Sequence, residues 1–431
     1  MNRLILLATL LCSTAAQAQT YAIQAGHVIF DAAKAARGPS TVIVENGRIK
    51  SVEDGLVAPD GAILVDLRDK TVMPGMTDVH VHLTYRSGVA WYDAFDQKNS
   101  TAYMATYGLT NALTLARAGF TTVRDLGGPS MSSSAAIAVR DAVTEGSFPG
   151  PRIKVSGAAL SMIGGHGDDA VGLNPELSSA VSKEGQVGVC TGAVQCAEAV
   201  RKIAAMGVDV IKLHATGGVL DAGALGLEQH FSDEELKSII DTAHSLHLKT
   251  AAHAHGARGI KAAVRAGVDS IEHGTFLDVA GAQAMKQHGT YYSATLMAST
   301  GLQMGLGKNL FGPNSEAKAR QALAVWGHGL NLAYRTGVKI VLGTDAAVFP
   351  HARAGEEVGL MVTKGGMTPR DALIAATKTG PELMDLSAET GTLDAGKSAD
   401  LIAVEGDPLS DPAAVTRVRY VMVKGKPIPM Q

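Results

Sequence analysis

Six residues could do chemistry together: His80, His82, Lys212, His253, His273 and Asp345. Five are ordinary metal ligands, and each of the six sits in or at the end of a short apolar run. Imidazole and carboxylate together suit zinc, with manganese, cobalt or nickel as alternatives. Ligands shed singly from the ends of successive strands are what a metal site at the mouth of a (β/α)8 barrel requires. The set points to hydrolysis assisted by two divalent metal ions.

In His80-Val81-His82 the strand period of two puts both imidazoles on one face. An isolated H-x-H is more often a pair of hydrogen-bonded core histidines than a metal site. Here Pro74-Gly75 upstream and the histidines downstream tip the balance. His253 and His255 form a second H-x-H. His253 is taken as the ligand and His255 as a substrate contact or a support for the ligand, with the reverse assignment open.

Lys212 lies inside the apolar run 208–214. A lysine there is costly unless something compensates. Burial lowers its pKa and frees the neutral amine. That amine can take up carbon dioxide as a carbamate, an anionic oxygen ligand able to bridge two cations. Taken alone, Lys212 reads more readily as a lysine snorkelling outward or paired with an acid; beside five other ligands, the carbamate is the reading adopted.

Positioning these groups needs eight strands. Apolar runs at 75–82, 121–126, 152–158, 208–214, 249–255, 270–273, 291–296 and 338–344 supply them, at spacings suited to βαβ units. Ser232-Asp233-Glu234-Glu235 is a capping box ahead of Leu236, Ile239, Ile240 and Ala243 at helical spacing. Thr368-Pro369 places a cap before a proline at the first helical position. The expected class is α/β, a (β/α)8 TIM barrel; a doubly wound open sheet leaves ligands on so many strands unexplained. At the chain ends, alternating runs at 21–30, 41–49 and 63–67, with an Asn46-Gly47 turn, match others at 401–404 and 415–423. They suggest a small β-sandwich domain built from both termini, 19–72 and 388–431, around a barrel spanning 73–387.

The chain has 431 residues and a net charge of −3, with no block of like charge. Nothing points to nucleic acid or an anionic membrane surface as a partner. Residues 1–18 read as a secretory signal peptide: Arg3, an apolar stretch too short to span a bilayer, and an Ala16-Gln17-Ala18 cleavage site. A periplasmic or secreted protein is expected, with an uncleaved apolar anchor as the alternative. In that setting Cys190 and Cys196 are open to two readings, a short disulfide loop or two free thiols.

The run from Val72 to His82, the Gly343-Thr344-Asp345 and Pro350-His351 segments, and the run from Gly391 to Leu401 together resemble the amidohydrolase superfamily. The likeness is to its binuclear branch with a carboxylated lysine, across essentially the whole mature chain. Lys212 in its Ile211-Lys212 and Ala215-Thr216-Gly217-Gly218 setting is similar to the prolidase and Xaa-dipeptidase group, which includes ochratoxin-hydrolysing amidases. The resemblance implies that His80, His82 and Asp345 hold one metal, that His253 and His273 hold the other, and that carboxylated Lys212 bridges them. A hydroxide shared by the metals would attack the carbonyl, with Asp345 as the catalytic proton carrier. Substrate contacts would come from His166 in a Gly-His-Gly loop, His214, His255, His351 and Arg353, while Phe231 stands where some relatives carry a tyrosine. The implied reaction is cleavage of the amide to a C-terminal amino acid, prolyl or hydrophobic, in a dipeptide or N-acyl amino acid such as ochratoxin. A lactone or cyclic-amide hydrolase is the rival activity. A non-catalytic binding protein is the rival class, and no ligand is missing to favour it. By the same resemblance a homo-oligomer is expected.

Overall fold

The structure is a computed structural model that describes residues 19–87, 100–128, 133–184, 186–221, 226–308 and 310–430. The expected signal peptide lies outside the described residues. The strands, in chain order, are β1 (Thr20–Val28), β2 (Ser40–Glu45), β3 (Arg48–Asp54) and β4 (Ile63–Pro74), then β5 (Met76–Val81), β6 (Phe120–Asp125), β7 (Arg152–Val155), β8 (Ala159–Leu160), β9 (Val210–His214), β10 (Lys249–Ala254), β11 (Ser270–His273), β12 (Tyr291–Ser293) and β13 (Ile340–Val341), and finally β14 (Leu401–Val404), β15 (Val418–Val423) and β16 (Lys426–Pro427). No helix among the described residues is long and apolar enough to cross a membrane.

Strands β5 to β13 form the (β/α)8 barrel. All its neighbours pair in parallel, in sequence order. The third barrel strand is split: β7 pairs with β6, and after a break β8 pairs with β9. Closure comes from backbone bonds between the first and last strands. Val79 N donates to Leu342 O at 3.0 Å, and Asp345 N to His80 O at 2.8 Å. Apolar side chains from the strands and the surrounding helices make one large core.

Strand ends shift by a few residues throughout, and two of the shifts have a visible cause. The seventh strand ends at Ser293, because Leu296 already starts a helix, Leu296–Gly305, whose first N–H groups are taken by Glu357. Strand β15 of the small domain starts at Val418, because Asp411 caps a short turn of helix at Pro412–Thr416.

The expected β-sandwich is one seven-stranded mixed sheet, in the order β16-β15-β14-β4-β1-β2-β3. It folds over on itself, so one sheet encloses the core where two were expected. Ile49 N donates to Lys397 O and Ala399 N to Gly47 O, so the β2–β3 turn meets the segment before β14. Ile23, Val42, Val44, Leu401 and Met422, from both chain ends, share that core. The long β4 runs through Pro74 directly into β5 and so joins the sheet to the strand that bears His80.

Candidate active site

All six residues converge at the carboxyl ends of the barrel strands. Alternate side chains of an inward-tilted strand face the barrel interior, which explains why His80 and His82, and Lys212 and His214, enter the same space. All six are buried except His82, whose side chain is 20% exposed. His80 Nε2 lies 3.5 Å from Asp345 Oδ1 and 3.5 Å from Lys212 Nζ. His82 Nε2 lies 3.1 Å from Asp345 Oδ1. The rings of His253 and His273 are 4.6 Å apart, and those of His80 and His273 5.0 Å.

Among the described residues, two sets of donor atoms each fall within 4.8 Å of one another: His253, His255 and His273, and His80, His273 and Asp345. His273 belongs to both, so the sets form one continuous buried cluster. Imidazole nitrogens and a carboxylate, desolvated and facing one another, are the donors a binuclear metal site needs. His255 stands as close to this cluster as His253, and the geometry keeps both as ligand candidates. Backbone strain collects here as well: His273, Thr295 and Asp345 have φ of 71°, 46° and 63°. Non-glycine residues hold such angles only where the surroundings enforce them.

The electrostatics suit ligands. Burial drives His253 and His273 well below the usual imidazole range and His80 down to about 4, so their lone pairs are free. Burial also lowers the Lys212 ammonium to about 8, so the neutral amine is far more accessible near neutrality than on an exposed lysine. Burial opposes ionisation of Asp345, but the facing His80 and His82 outweigh it and hold the carboxylate ionised.

The proposed substrate residues divide. His166 enters the site: its ring stacks on His253 at 4.2 Å and meets His214 edge-on at 4.7 Å. Its Nδ1 is held by Asp221, whose other oxygen accepts Gly218 N at 2.6 Å. The glycines of this region are there for space: a Cβ on Gly218 would meet His166 at 2.3 Å, and one on Gly167 would meet His214 at 2.5 Å. His214 is buried, with Nδ1 unpartnered among the described residues. His255 Nδ1 sits 2.7 Å from Thr275 Oγ1, and its ring stacks on His273. His351 instead lies behind the site, with Nε2 3.1 Å from the His82 carbonyl, where it supports the backbone of a ligand. Arg353 is already engaged: its guanidinium pairs in two bonds of 2.7 Å with Glu356, at the start of the next helix. Phe231 is packed in the large apolar core.

Several supporting residues escaped the sequence reading. Asp125 accepts Leu83 N and Gly127 N, and Gly127 O in turn holds His82 Nδ1 at 2.6 Å. Thr295 Oγ1 sits 2.7 Å from His273 Nδ1. Glu272 holds His80 and pairs with Arg124. Charges inside the apolar runs of β6 and β11 carried the same signal that singled out Lys212. His230, beside Phe231, has both ring nitrogens buried without a partner among the described residues.

Residues 71–428 match the model of the amidohydrolase family. Ochratoxinase of Aspergillus niger is 33% identical over 378 residues, 81% of this chain and 75% of that one. Among solved structures, a Xaa-Pro dipeptidase with methionine bound in its active site superposes with a TM-score of 0.87 at 32% identity, covering 95% of this chain and 99% of that one. A prolidase in complex with N-methylphosphonate-L-proline gives 0.83 at 30%, covering 96% and 100%.

Proposed function

The chain belongs to the amidohydrolase family, and from that premise we propose that it cleaves the amide bond to a C-terminal amino acid with two bound divalent metals, zinc foremost. As a member it is a metal-dependent hydrolase of C–N bonds, related to prolidases and ochratoxinase. The observation that carries the finer reading is the single buried cluster of His80, His253, His273 and Asp345 with Lys212 against it. Its relatives include a Xaa-Pro dipeptidase, a prolidase and an ochratoxinase, which supports dipeptides or N-acyl amino acids with a prolyl or hydrophobic C-terminal residue.

In this reading His80, His82 and Asp345 would hold one metal and His253 and His273 the other, with carboxylated Lys212 adding an anionic oxygen ligand. Bound there, the metals supply Lewis acidity to the carbonyl and to water. Asp345 takes the proton of the attacking water and passes it to the departing nitrogen, which leaves as a neutral amine. His166, fixed by Asp221, offers its other ring nitrogen to the substrate's carbonyl or carboxylate, and His214 and His255 line the same space. Export, on the leader and the cysteine pairing, and assembly as a homo-oligomer belong to the same proposal; cell fractionation and light scattering test them.

The experiment is release of free amino acid from Xaa-Pro, Xaa-Phe, N-acyl-Phe and ochratoxin A, beside lactone and cyclic-amide substrates. Turnover of the open-chain amides supports the reading. Turnover confined to lactones or cyclic amides replaces it with the rival activity on the same scaffold.

A further inference from the structure

Below the metal cluster, in the barrel interior, lies a charged pair that the reaction itself does not use. Arg124, on β6, and Glu272, on β11, are at most 1% exposed. Arg124 reaches across the barrel. Its Nε donates to Val79 O at 2.6 Å, the residue before His80, and its Nη2 to Glu272 Oε1 at 2.8 Å and to Ser270 Oγ at 3.2 Å. Ser270 Oγ donates to the same Oε1 at 2.6 Å. Among the described residues, Glu272 Oε2 is left for a single partner, His80 Nδ1 at 3.0 Å. A bond at Nδ1 fixes the proton there and turns Nε2, with its lone pair, toward Asp345 and Lys212.

A buried ion pair is poor value as a source of stability, since apolar side chains of the same volume commonly do as well or better. Its place here has another explanation. We infer that Glu272 is a positioning residue which fixes the tautomer and aim of His80 and strengthens it as a metal ligand, with Arg124 and Ser270 holding the carboxylate in register. Arg124 also keeps an ionised Glu272 from standing uncompensated in the barrel. His82 and His273 lack such a partner: a backbone carbonyl orients the first and a threonine hydroxyl the second. The pair therefore acts on the metal that His80 holds and leaves the other alone.

This inference rests on the two-metal reading, and the test separates their failures. Metal-free wild type and Glu272→Gln are titrated with Zn2+ against a chromophoric chelator, and the melting temperature of each metal-free protein is recorded. Glutamine keeps the shape and removes the charge. The expected result is two sites in wild type and, in Glu272→Gln, one site weakened roughly 10–100-fold with the other unchanged. Two sites of wild-type affinity in a folded Glu272→Gln protein would overturn the inference and leave the metal reading standing. A wild type that binds no Zn2+ would instead overturn the metal reading. Should Glu272→Gln fail to fold, Ser270→Ala removes one bond from the carboxylate without altering charge. It should weaken the same site by a smaller factor, and unchanged affinity at both sites there would equally reject the idea.

Discussion

Lys212 Nζ sits 3.5 Å from His80 Nε2, inside the ring of donors. An ammonium at that point would repel the cations the imidazoles invite; a carbamate has the opposite sign and resolves the conflict. Lys212→Ala should therefore hold fewer than two metals per chain and lose at least about 100-fold in kcat/KM, read by elemental analysis and amide hydrolysis. Asp345→Asn retains a ligand oxygen but no proton acceptor, so its kcat should fall roughly 100- to 10,000-fold even where metal is retained. Asp221→Asn weakens the hold on His166, and a rise in KM with a smaller change in kcat is the expected outcome. The chemistry was legible at this scale because ligands are rare, polar residues in apolar surroundings. Arg124 and Glu272 gave the same signal, yet each became interpretable only when the fold set them against each other across the barrel. Asp221 and Thr295 gave none, since a short side chain in a loop finds its partner only through the backbone path.

Between residues and fold stand the elements that aim them. The helix Leu296–Gly305 has no cap of its own, because Thr295 is left-handed and its hydroxyl faces His273. Glu357, from the helix Glu356–Thr363, caps it instead, with one carboxylate oxygen on Leu296 N and the other on Met297 N. Glu357→Ala leaves those buried amides unpaired and should cost about 1–3 kcal/mol, seen as a lowered melting temperature. The loop with His166 has its own strap. Ser161 exchanges backbone bonds with Gly188 and Cys190, Asp168 accepts Gln186 Nε2, and Cys190 is joined to Cys196 on the helix Ala193–Ala205. The bridge closes a short loop, so Cys190→Ser with Cys196→Ser should cost about 2 kcal/mol in denaturant unfolding. Sequence alone left this pairing open because it does not give the Cα separation, which is 5.1 Å. Helix starts were readable where the cap is local, as with Ser232 and Glu235, and unreadable at Leu296, where the capping group comes from 61 residues away.

At the scale of the molecule, the barrel and the paired chain ends followed from periodicity, since buried parallel strands and alternating edge strands leave different patterns. The single folded sheet did not, because register and closure depend on which strands meet in space. The barrel's role is to bring strand ends from across the sequence to one mouth, and the binuclear centre there is the central claim. The most direct test is metal stoichiometry of purified wild-type protein, measured beside Lys212→Ala in bicarbonate-containing buffer. Two divalent ions per wild-type chain, reduced in the variant, is the predicted result. One ion or none in wild type, or a Lys212→Ala protein with full metal content and full activity, would contradict the account.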